Sequence, residues 1–316
     1  MSLKIVTDKD PILFSIIMPV WNEQNFINEA ILSVLNQGYR DWELVIVDDG
    51  STDQTGSICN SFNDDRINYY FKENAGLNAA RNTGINNSKG TYVCFLDGDD
   101  LLLSHHLLVM AKAIAKENRP VGIFRTNWIS KNASQQQNII ENHSKILSNP
   151  AKYFLHHIPV MHTLCIHRTI FEKCFFDEQL MSWDDKHFMV QATSFFPFYQ
   201  LRDFTAIYRR NPDKGSSGFL ERFDRKFKQE FDYINDFQMY YERNISQGLT
   251  KRDFMKARFI TIISFGHGAL HHGDINKASF VWKKGIKLIT SMYTFLRFFN
   301  LGIKILSKKL LNYFNK

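Results

Sequence analysis

Short apolar runs alternate with helix-period segments through the first hundred residues. Phe14 to Val20 is a nearly unbroken apolar run, the pattern of a strand buried on both faces. Asn25 to Gln37 carries Phe26, Ile27, Ala30, Ile31, Val34 and Leu35 at helical steps, which predicts a helix closed by Gly38. Glu43 to Val47 predicts the next strand and Gln54 to Phe62 the next helix. Ile67 to Phe71 reads as a third strand, Leu77 to Asn87 as a helix stopped near Gly90, and Tyr92 to Leu96 as a fourth strand. Strands alternating with helices predict an α/β fold with a parallel sheet covered on both faces.

The pattern loosens from Ser104 onward. A helix is expected to about Lys116, a strand over Val121 to Trp128, and a loop over the polar stretch Lys131 to Ser144. A helix at Pro150 to His157, a strand at Thr163 to His167, a helix from Asp184 to about Ser194 and a strand ending Ile207-Tyr208-Arg209-Arg210 complete the unit. Asn211 to Gly218 has the composition of a connector or lid. Phe219 to Lys316 predicts helices only, two of them joined by a turn at Gly273-Asp274. In the last, Met292, Phe295, Leu296, Phe299, Ile303, Leu306, Leu310 and Phe314 recur at three- and four-residue steps. The expected organisation is an N-terminal extension (1–13), an α/β domain (14–210), a connector (211–218) and a helical region (219–316) with a basic amphipathic tail.

With 316 residues, 44% of them hydrophobic, the chain can bury a sizeable core, which excludes a disordered protein. A formal net charge of +7 would suggest an anionic partner, yet no Asp or Glu follows Asp274. The nine positives from Lys277 to Lys316 exceed the whole excess and leave −2 for the residues before them. The basic character therefore belongs to the tail. Cys59, Cys94, Cys165 and Cys174 form no Cys-x-x-Cys pair, which fits a reducing setting. Met1 to Asp10 shows no signal segment, and Arg297 and Lys304 interrupt the most apolar part of the tail. The expected location is cytoplasmic, with the inner face of the membrane as a surface on which the tail can rest.

Candidate chemistry falls where the strands end, at Pro19-Val20-Trp21-Asn22-Glu23, Asp48-Asp49 and Asp97-Gly98-Asp99-Asp100. In open α/β sheets ligands bind beyond the carboxyl ends of strands, so three loops converge on one crevice. Acidic loops suit a nucleotide diphosphate sugar. A divalent cation neutralises the charge that gathers on the leaving group, and Mg²⁺ or Mn²⁺ needs only one or two protein carboxylates. Asp97 and Asp99 can share one cation or divide between cation and ribose, and Gly98 lets a diphosphate approach the backbone. Asp49 can accept a hydrogen bond from base or ribose, Trp21 and Glu23 stand in the first loop with the indole free to stack, and Arg81 can help hold phosphate. Inversion also needs a base for the acceptor hydroxyl. Asp184-Asp185, beside Trp183, is the candidate pair.

Five segments in order carry a resemblance. They are Ser15 to Glu23, Ile31 to Gln37, Val45 to Asp53, Asn74-Ala75-Gly76 with Ala80 to Ile85, and Phe95 to Asp100. Together they resemble the family 2 inverting glycosyltransferases of GT-A fold, a Rossmann-like nucleotide-diphospho-sugar transferase domain. The resemblance implies that Pro19, Trp21 and Asp49 contact the donor base, that Asp97 meets ribose or metal, that Asp99 meets the metal, and that Asp185 is the catalytic base. It also implies a glycan or lipid-linked acceptor and a place in polysaccharide biosynthesis of the cell envelope. Trp21 stands where the family usually has Tyr, Asp184 where it has Glu, and Asn211 where a metal-binding His often follows Tyr208-Arg209. The Gln-x-x-Arg-Trp motif of processive synthases is missing, which points to single-sugar transfer.

Blander alternatives compete at each position. Paired aspartates also mark phospho-receiver domains and aspartyl phosphatases, which the ordered motif series sets aside. A calcium loop from Asp97 fails because Leu108 takes the twelfth place. Asp184-Asp185 can equally serve a helix N-terminus, Trp21 can be core, and Arg81 can be a solvated helix residue. The pairs His105-His106 and His156-His157, and the trio His267, His271 and His272, read as packing or surface groups. A non-catalytic nucleotide-sugar sensor or scaffold is the competing class. The tail either packs on the protein or lies on a bilayer, while nucleic-acid binding lacks a recognised module.

Overall fold

The computed structural model describes residues 11–132, 135–178, 184–209, 249–285 and 292–314. They form two compact units. One holds 11–132, 135–150, 159–178 and 187–209, and the other 151–158, 184–186, 249–285 and 292–314.

The first unit opens with β1 (Phe14–Val20), α1 (Ile27–Leu35), β2 (Trp42–Asp49), α2 (Thr55–Asn60), β3 (Ile67–Lys72), α3 (Leu77–Asn86) and β4 (Tyr92–Phe95). β1 and β2 are buried along their whole length, as their apolar runs require. The four strands pair in parallel in the order β3-β2-β1-β4, from Phe14↔Trp42 to Val20↔Asp48 at the central pair. On one face Ile16, Met18, Leu44, Ile46 and Cys94 pack with Ile27, Ile31 and Val34 of α1. On the other, α3 lies so close that a Cβ on Gly84 would stand 2.3 Å from Ile17 Cγ2. Glycine is what permits that approach.

The sheet then becomes mixed. β5 (Leu101–Leu102), α4 (His106–Lys116), β6 (Ile123–Lys131), β7 (Gln136–Ile139), α5 (His143–Ser148), α6 (Pro150–His156), β8 (Leu164–His167), α7 (Asp184–Phe195) and β9 (Phe198–Arg209) follow. β8 runs antiparallel beside β4, and the order continues β8-β6-β9-β5. The loop predicted over Lys131 to Ser144 is corrected. Gln136–Ile139 pairs antiparallel with β6, and Asn142 caps α5 by accepting from the Lys145 amide at 2.9 Å. This strand has exposed polar side chains, so ladder hydrogen bonds rather than an apolar pattern define it.

In the second unit Thr250 and Asp253 form a capping box on α8 (Lys251–His271), and Lys152 pairs with Asp253 at 2.8 Å. Gly273, with φ of +80°, turns the chain into α9 (Ile275–Gly285), where the turn was predicted. α10 (Met292–Phe314) packs on both, with the Trp282 indole stacked on Phe298 at 4.8 Å and donating to its carbonyl at 3.0 Å. Among the described residues no helix is long and apolar enough to cross a membrane. The connector expected at 211–218 lies outside the described residues, as do residues 1–10 of the N-terminal extension.

Candidate active site

The carboxyl ends of β1, β2 and β4 open into one cleft of about 510 Å³. It is lined by Pro19, Trp21, Glu23, Asp49, Asp97, Gly98 and Asp99, together with the loop before α3. Its first two loops are stitched together. Asn22, held at φ +55°, donates from its amide to Ser51 Oγ at 2.9 Å and accepts from the Thr52 amide at 2.9 Å. The Glu23 amide donates to Thr55 Oγ1 at 2.7 Å. Trp21 beside them is 56% exposed, so its indole is open to stacking rather than core.

Asp49 is buried and organises the third loop. Its Oδ1 accepts from Lys72 Nζ at 2.9 Å and from the Ala75 amide at 3.0 Å, and its Oδ2 accepts from the Gly76 amide at 2.7 Å. Three of about four acceptor positions are thus taken. Gly98 fits closely, since a Cβ there would meet Val20 and Glu23 at 3.0 and 3.1 Å.

Asp97 follows β4 and keeps 35% of its side-chain surface open, while its Oδ1 is turned inward, 3.7 Å from Arg81 Nη2. Arg81 is 1% exposed, with its guanidinium over the Phe176 ring, so it sits beneath the cleft floor rather than on it. Its charge reaches the cleft through Asp97. Burial raises the pKa of the Asp97 carboxyl. Arg81 lowers it, Asp100 and Asp99 raise it, His162 lowers it, and the net direction is upward.

Asp100 is fully enclosed. Its Oδ1 accepts from the Arg209 amide at 2.8 Å, and its Oδ2 lies 2.8 Å from His162 Nδ1. Burial alone would lower the His162 pKa, but Asp100, then Asp97 and Asp99, outweigh it and raise it. Asp97, Asp100 and His162 form a three-group cluster whose ligand atoms all lie within 4.8 Å. Two carboxylates and an imidazole are a donor set that Mn²⁺ or Mg²⁺ accepts, and the inward Asp97 Oδ1 and His162 Nε2 have no hydrogen-bond partner among the described residues. The residues present fit a cation. Asp99 lines the cleft, and its carbonyl accepts from the Arg209 guanidinium. Asp185 is half-buried in the first turn of α7, in the second unit.

Sequence reasoning missed His162 and Arg209 as members of this group. The sequence carries no signal for either, and the sheet is what places the first. Extending the β4–β8 register, Tyr92↔His167 and Cys94↔Cys165, past the strand ends sets His162 opposite Asp97.

Residues 15–175 match the model described as glycosyl transferase family 2. Glycosyltransferase GlyA of Streptococcus pneumoniae serotype 4 is 40% identical over 133 residues, which is 42% of this chain and 18% of that protein. The first curated relatives are matched over 18–39% of their own length. The crystal structure of S. aureus TarS 1-349 is similar with a TM-score of 0.57 at 19% identity, covering 94% of this chain and 80% of that one. Mannosyltransferase PcManGT from Pyrobaculum calidifontis, in complex with GDP-Man and Mn²⁺, gives 0.56 at 16% identity, covering 98% and 89%. At these identities the likeness shows the GT-A fold. With its family model, its relatives and its fold in agreement, the chain belongs to glycosyltransferase family 2.

Proposed function

We propose that this chain transfers a single sugar, with inversion, from a uridine diphosphate sugar to a hydroxyl of a glycan or lipid-linked glycan. The observation that carries this reading is the cleft itself, with an open indole at one side and an acidic floor at the other. The base stacks on Trp21 beside Pro19, and the acceptor position left on Asp49 takes a base or ribose donor. Support for the donor class comes from TarS, whose structures include complexes with UDP and UDP-GlcNAc, and from PcManGT with GDP-Man.

Asp97 and Asp99 would hold the cation, Mn²⁺ or Mg²⁺, with Asp100 and His162 behind them. When bound, it neutralises the charge on the departing diphosphate. Gly98 leaves room for the diphosphate, Glu23 borders it, and Arg81 steadies Asp97. Asp185 accepts the acceptor hydroxyl proton as that oxygen bonds to the anomeric carbon and the bond to the diphosphate breaks. In this reading 14–210 is the catalytic domain, 211–218 the lid, and 219–316 the helical region. The protein works on the cytoplasmic side in polysaccharide biosynthesis for the cell envelope.

A thermal-shift panel of nucleotide diphosphates and nucleotide sugars, with and without Mn²⁺, followed by turnover assays, tests this. Uridine compounds with Mn²⁺ should give the largest shift. Binding without hydrolysis or transfer would favour a sensor or scaffold instead. Asp185→Asn should abolish transfer and spare donor binding, and an active variant would move the base elsewhere.

A further inference from the structure

α10 carries two apolar faces, one of which is buried in the packing of the described residues. Phe298, Leu301 and Ile305 are buried in the core shared with α8 and α9. Leu296, Phe299, Ile303 and Leu306 are 59%, 56%, 51% and 61% exposed. Their three-four-three spacing sets them in one line along the helix, about 15 Å long. A helix that only packs on its own protein gives such positions to polar residues. Scattered exposed apolar residues need no explanation, but a continuous line of four does.

The charge around the line decides what it fits. At about 100° per residue, Lys304 falls to one side of it and Lys309 to the other, both exposed. No Asp or Glu occurs anywhere after Asp274, while nine Lys and Arg do. A second copy docked through this face would bring two tails of the same sign together, with no carboxylate to relieve them. An anionic bilayer meets both properties, since the apolar line enters the acyl boundary while the flanking cations meet headgroups.

We infer that α10 docks this protein on an anionic lipid surface, lying in the plane of the interface with Leu296, Phe299, Ile303 and Leu306 inserted. The helix does not need to cross, and it is not apolar enough to do so. This inference does not rest on the donor or the chemistry proposed above.

Co-sedimentation of the full chain with vesicles tests it. Vesicles of phosphatidylcholine containing about one-third phosphatidylglycerol should bind the protein, pure phosphatidylcholine should bind it weakly, and added salt should release it. The double variant Ile303→Glu/Leu306→Glu, at exposed positions, should lose about tenfold or more in vesicle affinity while its circular-dichroism melt stays unchanged. Lys304→Glu/Lys309→Glu alters no apolar group and should weaken binding to the anionic vesicles alone. Equal binding to both vesicle types, or none, would overturn the inference. So would a wild-type dimer by light scattering that Ile303→Glu/Leu306→Glu converts to monomer, because the face would then belong to a second copy. Failed vesicle binding with intact donor turnover would remove this inference and leave the transferase reading in place.

Discussion

Replacing Arg209 with methionine tests whether the end of β9 holds the acidic loop in shape. The guanidinium donates to the Asp99 carbonyl, reaches the Phe26 carbonyl at 3.3 Å, pairs with Glu29 at 2.6 Å and lies over the Phe26 ring. A charged hydrogen bond to a partly buried carbonyl contributes about 1.5–3 kcal/mol, and the long contact to Phe26 adds less. Glu29 is 65% exposed, so that pair adds at most about 1 kcal/mol, and the cation over the ring about 0.5–1. Methionine keeps the aliphatic stem and the backbone amide that serves Asp100. The expected loss is therefore about 2–4 kcal/mol in urea unfolding, the larger part of it from contacts to backbone. A double-mutant cycle with Glu29→Gln separates the terms, and its coupling energy should stay below about 1 kcal/mol. The thermal shift on adding Mn²⁺ should shrink as well, because Asp97 to Asp100 would no longer be held from the β9 side. Wild-type stability together with a wild-type Mn²⁺ shift would refute the reasoning. A coupling energy that accounts for the whole loss would show instead that the surface pair, not the loop, is what Arg209 serves.

Three further outcomes follow from the same geometry. Gly84→Ala should destabilise the first unit by about 1–2 kcal/mol, the overpacking against Ile17 exceeding the helix-propensity gain, and a variant as stable as wild type in urea would contradict it. Acid should unfold the chain through its buried neutral histidines. Burial pushes His106 down to about 3 and His187 down to about 4, so the unfolded state binds the extra protons and stability falls as pH drops from about 6.5. Each contributes a slope of up to about 1.4 kcal/mol per pH unit, and equal urea midpoints at neutral pH and near pH 5 would sink the assignment. Trp21→Ala should weaken uridine diphosphate binding about tenfold in calorimetry with little change in melting temperature, and an unchanged affinity would remove the stacking role.

The parallel half of the sheet was readable because each signal there is local. Phe14 to Val20 is apolar throughout, α1 repeats at helical spacing, and Gly76 and Gly90 bracket α3, so hydrophobic period and punctuation agree with the tertiary result. β7 was illegible for a physical reason. Its stability comes from backbone pairing with β6 at an exposed edge, which leaves no mark in the pattern of apolar side chains. β5 has two residues and exists because β9 runs beside it, from Leu101↔Ile207 to Leu102↔Ala206. The amphipathic stripe of the tail was visible in sequence, but its division into a packed face and an open one was not. That division depends on where α8 and α9 lie.

The site divides along the same line. Loops that end parallel strands of one α/β sheet converge at its carboxyl edge, so Trp21, Asp49 and the Asp97 group could be brought together from the sequence pattern. His162 could not, because β8 enters beside β4 from more than sixty residues later and runs the other way. Its arrival changes what the acidic group can be. Asp97, Asp99 and Asp100 gather negative charge in a confined space. The described residues set against it the Arg81 guanidinium, 3.7 Å from Asp97 Oδ1, and the His162 imidazole, whose pKa Asp100 raises. Asp97 is nonetheless shifted upward, chiefly because burial penalises its charged form. A divalent cation held among Asp97, Asp100 and His162 would compensate that penalty and favour the ionised carboxylate.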